Sequence, residues 1–509
     1  MTLAELLPTF RASLRPRLDP AVWPATARWG GHGDLLIGGV RATALAATYG
    51  TPVHVLDEVD VRSRCAEYLA AFGRRGVSYS AKAGLTSGEA RWMAQAGLGC
   101  YIGSAADLRT ALLAGLRPAR LVLHGTAKSL QDLDAAYDSG AAVVVGTPAE
   151  LESVAARAPL GQRVHLRVTP AAAGRSRHRY GFRLGTAAAL DAVATVLTSR
   201  NLRLAGLDCS LGHQLSRFQA YESCVREAVA FCAVARARTG ADVHSLNLGG
   251  GHAVAYSGHD SAFAVAAFAR RIRTVLRLAA DRHAVPEPAL TVSPGRALVA
   301  RAGVTIHRVA EVTQLPDGRL TVTLDGAVPD CTTTADCAGR HTAELAGRVS
   351  TAPMRLAMIT AAAAPTPRRA RRAAASPHRP TSPDQPISPD RANSADQQNS
   401  PHRANSPDQP ASAHRANSAD RPTSALTAVA PGRASGGATG RLAANVLVPA
   451  MELPADVTVG DILVVAGTGA YHHRPDPFAG RPPVVGVADG LARTHIRRDT
   501  VDDLLRRVV

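Results

Sequence analysis

The chain has 509 residues, of which 46% are apolar and only 4% aromatic, and its 58 lysine and arginine residues outnumber 41 aspartate and glutamate residues. This length exceeds what one hydrophobic core usually supports, so it predicts two folded domains plus irregular sequence. The positive charge is scattered and not interleaved with aromatic residues, and no run of about 18 uncharged apolar residues occurs, so neither nucleic acid nor a membrane is a predicted partner.

The first 300 residues divide into two segments with different sequence patterns. Residues 1–48 are predicted to join a β domain, whereas residues 49–300 alternate short β-rich runs with segments of helical period. The β-rich runs lie at residues 77–82, 98–103, 120–125, 141–147, 164–169, 204–212, 243–250 and 289–295. Eight β/α units in succession predict an α/β fold, a (β/α)8 TIM-like barrel.

The rest of the chain is predicted to be a C-terminal β domain interrupted by an insert. Residues 301–364 and 438–509 contain strand-like runs without helical segments between them, at residues 304–314, 319–326, 445–454, 461–471 and 482–490. Residues 365–437 repeat the tetrapeptide RANS and are rich in proline, serine and arginine. Ile387 is the only large apolar side chain in the repeated part, so it cannot bury enough surface to offset its ordering entropy. We therefore expect a disordered insert.

Lysine is almost absent from the chain. Only Lys82 and Lys128 occur, so 56 of the 58 basic residues are arginines. Arginine cannot replace an amine that must lose its proton and attack a carbonyl, because its guanidinium stays charged. Lys82 ends the first predicted barrel strand, which indicates a chemical role. Lys128 also follows a strand, but a residual surface lysine is a second reading for it.

Barrel enzymes carry their reactive groups at the carboxyl ends of the strands. The polar and glycine residues at these ends are Lys82, His124, Lys128, Arg167, Ser210, His213, Gly249, Gly250, Gly251, Gly295 and Arg296. A glycine run alone is more often a tight turn than a ligand site. Beside Arg296 on the neighbouring strand, however, it predicts a phosphate site, since arginine offers forked donors to phosphate oxygens.

A lysine and a phosphate site at one barrel mouth are what pyridoxal phosphate requires. Seven motifs then resemble, in order, those of the diaminopimelate/ornithine/arginine decarboxylase family, whose barrel is like that of alanine racemase (fold type III). The motifs are YSAKA (79–83), HGTAKS (124–129), RHRYGF (177–182), GLDCSLGHQ (206–214), LNLGGG (246–251), SPGRALVARAG (293–303) and GTGAY (467–471). They extend over nearly everything outside the insert.

The resemblance implies a decarboxylase of a basic or diamino acid that uses pyridoxal 5'-phosphate and forms head-to-tail homodimers. Lys82 would form the Schiff base. The other cofactor-binding residues that it implies are Gly249, Gly250, Gly251, Arg296, Tyr471, Ser210, His213 and Arg167. For Arg167, a purely structural role is an equal alternative.

Several positions depart from the family pattern. Ser293 stands where the family has a glutamate at the pyridine nitrogen, and Ser210 where it has a stacking histidine. In the β domain, Arg441, Leu442 and Asn445 stand where the family has a cysteine and two acids. Two alternatives therefore remain open, a racemase-like enzyme and a pyridoxal-phosphate-binding protein with impaired catalysis. The sequence leaves the amino-acid substrate undetermined.

The cysteines predict the compartment. Their number is seven, and they form no CxxC pair and no zinc-like spacing. An odd number is unfavourable for a secreted disulfide framework. The N-terminal segment also lacks the continuous apolar stretch of a signal peptide. These features predict a cytoplasmic protein.

Overall fold

The computed structural model describes residues 17–170, 180–326, 341–361, 446–471 and 480–506. All of these belong to one of the two compact units of the chain. The predicted insert and the three positions Arg441, Leu442 and Asn445 lie outside the described residues. Within the described residues, no helix combines the length and the apolar character needed to span a bilayer.

Before the barrel, the chain forms a small sheet and one strand of a larger sheet. These elements are β1 (Arg28–Trp29), β2 (Leu35–Ile37), β3 (Val40–Arg41), α1 (Ala42–Tyr49) and β4 (Val53–Asp57). Strands β1 to β3 pair antiparallel. Leu35 and Ile37 of β2 are fully buried in the same apolar cluster as Val53 of β4. The N-terminal sheet is thus packed against the larger sheet.

Residues 58–299 form the barrel, and the eight predicted strands are all present. Its helices are α2 (Glu58–Phe72), α3 (Ser87–Ala96), α4 (Ala105–Leu113), α5 (Leu130–Ser139), α6 (Pro148–Arg157), α7 (Ala187–Thr198), α8 (Gln219–Thr239), α9 (Val265–His283) and the short α10 (Arg296–Val299). Its strands are β5 (Ser78–Ser80), β6 (Gly99–Ile102), β7 (Leu121–Leu123), β8 (Ala142–Val145), β9 (Gln162–Thr169), β10 (Phe182–Arg183), β11 (Leu202–Cys209), β12 (Ser245–Asn247) and β13 (Ala289–Thr291). The short β10 pairs with β9 beside the main path of eight.

The parallel sheet closes on itself between its first and last strands. Val77 and Val292 form a parallel bridge, and the N–H of Ser78 donates to the carbonyl of Val292 at 3.0 Å. The N–H of Ser80 donates to the carbonyl of Pro294, also at 3.0 Å. The predicted (β/α)8 barrel is confirmed, and its strand ends meet at one rim.

Local sequence explains where the barrel helices begin and end. At the start of α5, Ser129 and Asp132 form a capping box in which each side chain accepts from the other's backbone N–H. Gly140 ends that helix in the left-handed conformation, which glycine adopts at little cost. Thr86, Glu89 and Gly97 repeat the arrangement around α3. These signals fix the helices between strands whose ends carry the site.

The remaining strands form the predicted C-terminal β domain, which is confirmed. They are β14 (Gly303–Gln314), β15 (Leu320–Leu324), β16 (Ala343–Ala346), β17 (Met354–Ala361), β18 (Val446–Pro454), β19 (Ile462–Ala466), β20 (Val484–Ala488) and β21 (Leu491–Ile496), followed by α11 (Val501–Leu505). With β4 they make a nine-stranded sheet in which β18-β17-β15-β14-β4-β20-β21 are successive neighbours, and β19 joins β14 to β16.

The β domain contacts the barrel next to Lys82. The loop after β19 brings the N–H of Tyr471 to the carbonyl of Ala83, at 2.5 Å. Gly469 and Gly303 make this approach possible, since a Cβ on Gly469 would lie 1.9 Å from the carbonyl oxygen of Val299. The described segment that directly follows β19, residues 467–471, therefore contributes to the barrel rim.

Candidate active site

A cavity opens at the carboxyl ends of the barrel strands, with an empty volume of about 670 Å³ that includes its open mouth. It contains all nine residues that the sequence predicts for the site: Lys82, Arg167, Ser210, His213, Gly249, Gly250, Gly251, Arg296 and Tyr471. The structure brings together side chains that are far apart in the sequence. Their roles toward a cofactor stay predictions.

Lys82 projects into this cavity from the turn Ala81–Ala83, which follows β5. Its side chain is exposed in terms of accessible surface because it reaches the open cavity, although protein surrounds the amine closely enough to desolvate it. This burial lowers the pKa of Lys82, and the positive charges of Arg167 and Arg296 lower it further. The negative charge of Asp208 has the opposite, smaller effect. An amine so placed loses its proton more readily than a lysine on the outer surface in bulk water.

This pKa is measurable because the chain has only two lysines. After reductive methylation with ¹³C-formaldehyde, we expect the NMR signal of Lys82 to titrate below the ordinary lysine value of 10.5. Arg167→Gln should move the midpoint upward, because it removes a positive neighbour of the amine. Arg157→Gln removes a guanidinium paired with Asp134 on the exposed helices and should leave it unchanged. A Lys82 midpoint at or above the ordinary value contradicts the described environment.

The glycine run follows β12, which is two strands from β5 around the closed barrel, and it is tightly enclosed by backbone. A Cβ on Gly250 would lie 2.5 Å from the carbonyl oxygen of Ser293, and one on Gly251 would lie 2.2 Å from that of Gly212. Gly251 also has a φ of +80°, which disfavours other residues. The N–H groups of Gly250 and Gly251 donate to no described residue. Packing accounts for the glycines, and it leaves two backbone donors at the cavity.

Arg296 adds positive charge beside these donors. It is only 7% exposed, and its guanidinium carbon lies 5.4 Å from the ring centroid of Tyr471. At this distance the guanidinium and the ring make a cation–π contact, which holds the charge of Arg296 in place. The two glycine N–H groups and Arg296 together form an environment suited to a phosphate.

The floor of the cavity is a network centred on Asn247. Its Nδ2 donates to Asp208 Oδ1 at 2.6 Å and to the Tyr101 hydroxyl at 2.7 Å, and it lies 3.3 Å from Ser293 Oγ. Asn247 and Asp208 are 2% and 1% exposed. Burial raises the pKa of Tyr101 well above its usual value, and the charge of Asp208 raises it further. Tyr101 therefore stays a neutral hydroxyl.

Two histidines on the cavity wall are uncharged near neutral pH. Burial lowers the pKa of His124 to about 3, and the charges of Lys82, Arg167 and Lys128 contribute. Burial also lowers the pKa of His252 to about 3. These two imidazoles therefore cannot serve as proton donors at physiological pH.

Four buried polar atoms on the cavity lining lack a hydrogen bond to any described residue. They are His124 Nε2, His252 Nε2, and Arg167 Nε and Asp208 Oδ2, of which the last two lie 3.0 Å apart as an ion pair without hydrogen-bond geometry. Buried polar atoms are normally paired, so each exception requires an explanation. Their concentration around one cavity indicates a site completed by a polar ligand, and it fits a charged aromatic cofactor with a phosphate.

Lys128 belongs to a different environment, and the surface-lysine reading of it is wrong. Its side chain is 2% exposed, and its Nζ contacts Glu150 Oε1 at 2.5 Å and the Tyr180 hydroxyl at 3.0 Å. Glu150 also accepts from the Tyr180 hydroxyl at 2.8 Å. Lys128 is thus a buried partner in a structural network near the rim.

The sequence prediction missed Asp208, Asn247 and Tyr101. The first two lie inside motifs that were recognised, GLDCSLGHQ and LNLGGG. The sequence signal that could have identified Asp208 is the alternation of side chains between the two faces of a strand. Side chains two residues apart share a face, so Asp208 shares a face with Ser210 if the strand conformation continues.

Comparison with known proteins gives consistent results. Residues 58–300 match the family described as "Pyridoxal-dependent decarboxylase, pyridoxal binding domain". The chain is 34% identical over 524 residues to a diaminopimelate decarboxylase of Actinosynnema pretiosum subsp. auranticum, with all of both chains covered. It is 29% identical to that of Mycobacterium tuberculosis H37Rv, covering 96% of this chain and 98% of the other.

Among solved structures, the fold is similar to that of diaminopimelate decarboxylase from M. jannaschii in complex with L-lysine. The TM-score is 0.72 at 19% identity, covering 95% of this chain and 98% of the other.

Proposed function

Because the chain belongs to the family of pyridoxal-dependent decarboxylases, we propose that it decarboxylates diaminopimelate or a similar diamino acid, with the cofactor held by Lys82. One observation carries the assignment of the site. Lys82, one of only two lysines, enters the cavity that also contains the glycine run and Arg296. Similar proteins named diaminopimelate decarboxylase, one of them solved with L-lysine, support the substrate class.

The described residues divide into two groups around the cofactor, one for its aldehyde and one for its phosphate. Lys82 would bind its aldehyde through Nζ, because a lowered pKa leaves the amine uncharged more often. Gly250, Gly251 and Arg296 would hold its phosphate. When bound, pyridoxal phosphate supplies an electron sink for the bond cleaved at Cα.

Proton transfer is assigned to Lys82 in this proposal. His124 and His252 are neutral and cannot donate a proton, and burial holds the proton on Tyr101. The Nζ of Lys82 is the amine on the described cavity lining. Its lowered pKa lets it change protonation state more easily than a lysine on the outer surface in bulk water. The same atom would therefore hold the cofactor before the substrate binds and would move the proton only while it is a free amine.

We also propose a cytoplasmic homodimer. The five described cysteines are buried free thiols, which is usual in a reducing compartment. Met354 and Leu356 on β17 are 51% and 45% exposed and offer apolar surface for a second copy. Sedimentation velocity should show a particle of twice the 52.9 kDa chain mass. A monomer at micromolar concentration contradicts the dimer.

The function is tested by supplying the purified chain with pyridoxal phosphate and offering diaminopimelate, lysine, ornithine and arginine separately. We expect carbon dioxide from diaminopimelate, with one lysine formed for each molecule released. A racemase-like enzyme would instead change the optical rotation of an amino acid without releasing gas. A protein that captures the cofactor but changes none of the four amino acids contradicts the proposal.

A further inference from the structure

One carboxylate lies at the floor of the cavity. Asp208, near the carboxyl end of β11, is 1% exposed and is the only acidic residue on the lining formed by the described residues. Burying a charge in this way is unfavourable unless the surroundings stabilise it. Its position therefore requires an explanation.

The orientation of Asp208 is fixed by Asn247. The Oδ1 atom of Asn247 accepts from the N–H of Gly249 at 3.0 Å, so its NH2 group must face the other way. That group donates to Asp208 Oδ1 at 2.6 Å and lies 3.3 Å from Ser293 Oγ. A continuous polar line thus connects the carboxylate to the hydroxyl of Ser293, which lines the cavity.

The charge of Asp208 is only partly compensated by Arg167. Arg167 Nε lies 3.0 Å from Asp208 Oδ2, which is an ion pair by distance. However, neither atom has a hydrogen bond to a described residue, so the N–H is not directed at the oxygen. The carboxylate keeps one oxygen without a donor. The other charges nearby, on Lys82 and Arg296, are positive.

We propose that Asp208 is the positioning residue that keeps the ring nitrogen of bound pyridoxal phosphate protonated. The inference rests on the proposed function. A pyridine nitrogen near a carboxylate holds its proton, whereas one facing only arginine loses it. Ser293 carries no charge, so Asp208, the acidic side chain on the described lining, supplies the negative potential, and Asn247 holds its Oδ1 atom in place. The protonated ring is the stronger electron sink, as decarboxylation requires.

The test uses the full chain loaded with pyridoxal phosphate labelled with ¹⁵N in the ring, whose chemical shift reports protonation directly. The wild type should give the pyridinium signal at neutral pH, and Asp208→Asn should move it to the unprotonated position. Ser293→Glu added to Asp208→Asn should restore the pyridinium signal by returning an acid to the same polar line. Asp134→Asn, which removes an exposed carboxylate, is the matched control.

Two further readouts separate this role from a structural one. Asp208→Asn should lower the pKa of Lys82, because the carboxylate normally raises it. A purely structural residue would weaken cofactor retention and leave the nitrogen signal unchanged. If the Asp208→Asn chain does not fold, the wild type alone decides, since a ring nitrogen that is unprotonated at neutral pH overturns the inference.

The outcomes distinguish a failure of the role proposed for Asp208 from a failure of the proposed function. If the wild type does not capture pyridoxal phosphate at Lys82, both are overturned. If it captures the cofactor but Asp208→Asn leaves a pyridinium signal, only the role of Asp208 is overturned.

Discussion

Lys82→Arg is expected to abolish covalent capture of pyridoxal phosphate and to lower kcat/KM for decarboxylation by a factor on the order of 10⁴ or more. The substitution preserves positive charge and approximate length, but the guanidinium does not give up its proton. The chain uses arginine at 56 positions, so this replacement is compatible with its general composition. Borohydride reduction followed by peptide mass spectrometry measures capture, and the cofactor absorption band gives a second reading.

Lys128→Arg is the matched control, because it changes the other lysine in the same way. Arginine can keep the ion pair with Glu150, so folding and cofactor capture should persist. The reduced cofactor should then appear on a peptide that contains Lys82 in both the wild type and this variant. Cofactor mass on a peptide containing Lys128, or capture by Lys82→Arg, contradicts the assignment.

The barrel was predictable because each of its strands is short, apolar and separated from the next by an amphipathic helix. The strand β8, Ala142–Val145, is buried at every position, as a barrel strand covered by helices must be. Such runs are visible without knowledge of their partners. Since parallel strands in a closed barrel all end at one rim, their order also predicted that Lys82 and Arg296 would meet.

Three strands of the β domain were not predicted: β16, β17 and β21. Strand β17 reads MRLAMITA, in which alanine, methionine and leucine favour helix over strand. It becomes a strand because β15 and β18 pair with it on both sides. That pairing joins segments on either side of the insert, and local sequence does not contain it.

The residues at the cavity floor, Asp208 and Asn247, were not predicted either, because their contact also depends on strand pairing. The departures from the family pattern indicated Ser293 and Ser210, where chemistry had been lost, and not Asp208. Only the register of β11 against β12, which sets Asp208 beside Asn247, shows that these side chains meet. The sequence thus identified which strand ends carry the site, while the charge at its floor depended on three-dimensional packing.

Gly251→Ala is expected to lower the free energy of unfolding by about 2–5 kcal/mol and to weaken pyridoxal phosphate binding by roughly 10- to 100-fold. The added Cβ would lie 2.2 Å from the carbonyl oxygen of Gly212, which is backbone and cannot rotate away. The loop must therefore move, and the N–H groups at the cavity move with it. Urea unfolding measures the free energy of unfolding. Titration of the cofactor-free protein with pyridoxal phosphate, without reduction, measures the affinity.

Gly185→Ala separates strain from packing in this experiment. Gly185 has a φ of +78°, close to the +80° of Gly251, but a Cβ there meets no atom within 4 Å. Its substitution should cost only the conformational part, about 1–2 kcal/mol, and leave cofactor affinity unchanged. The difference between the two variants then measures the close approach of the loops. Equal losses of stability, together with unchanged affinity in both, would mean that the glycine run is a turn without a role in phosphate binding.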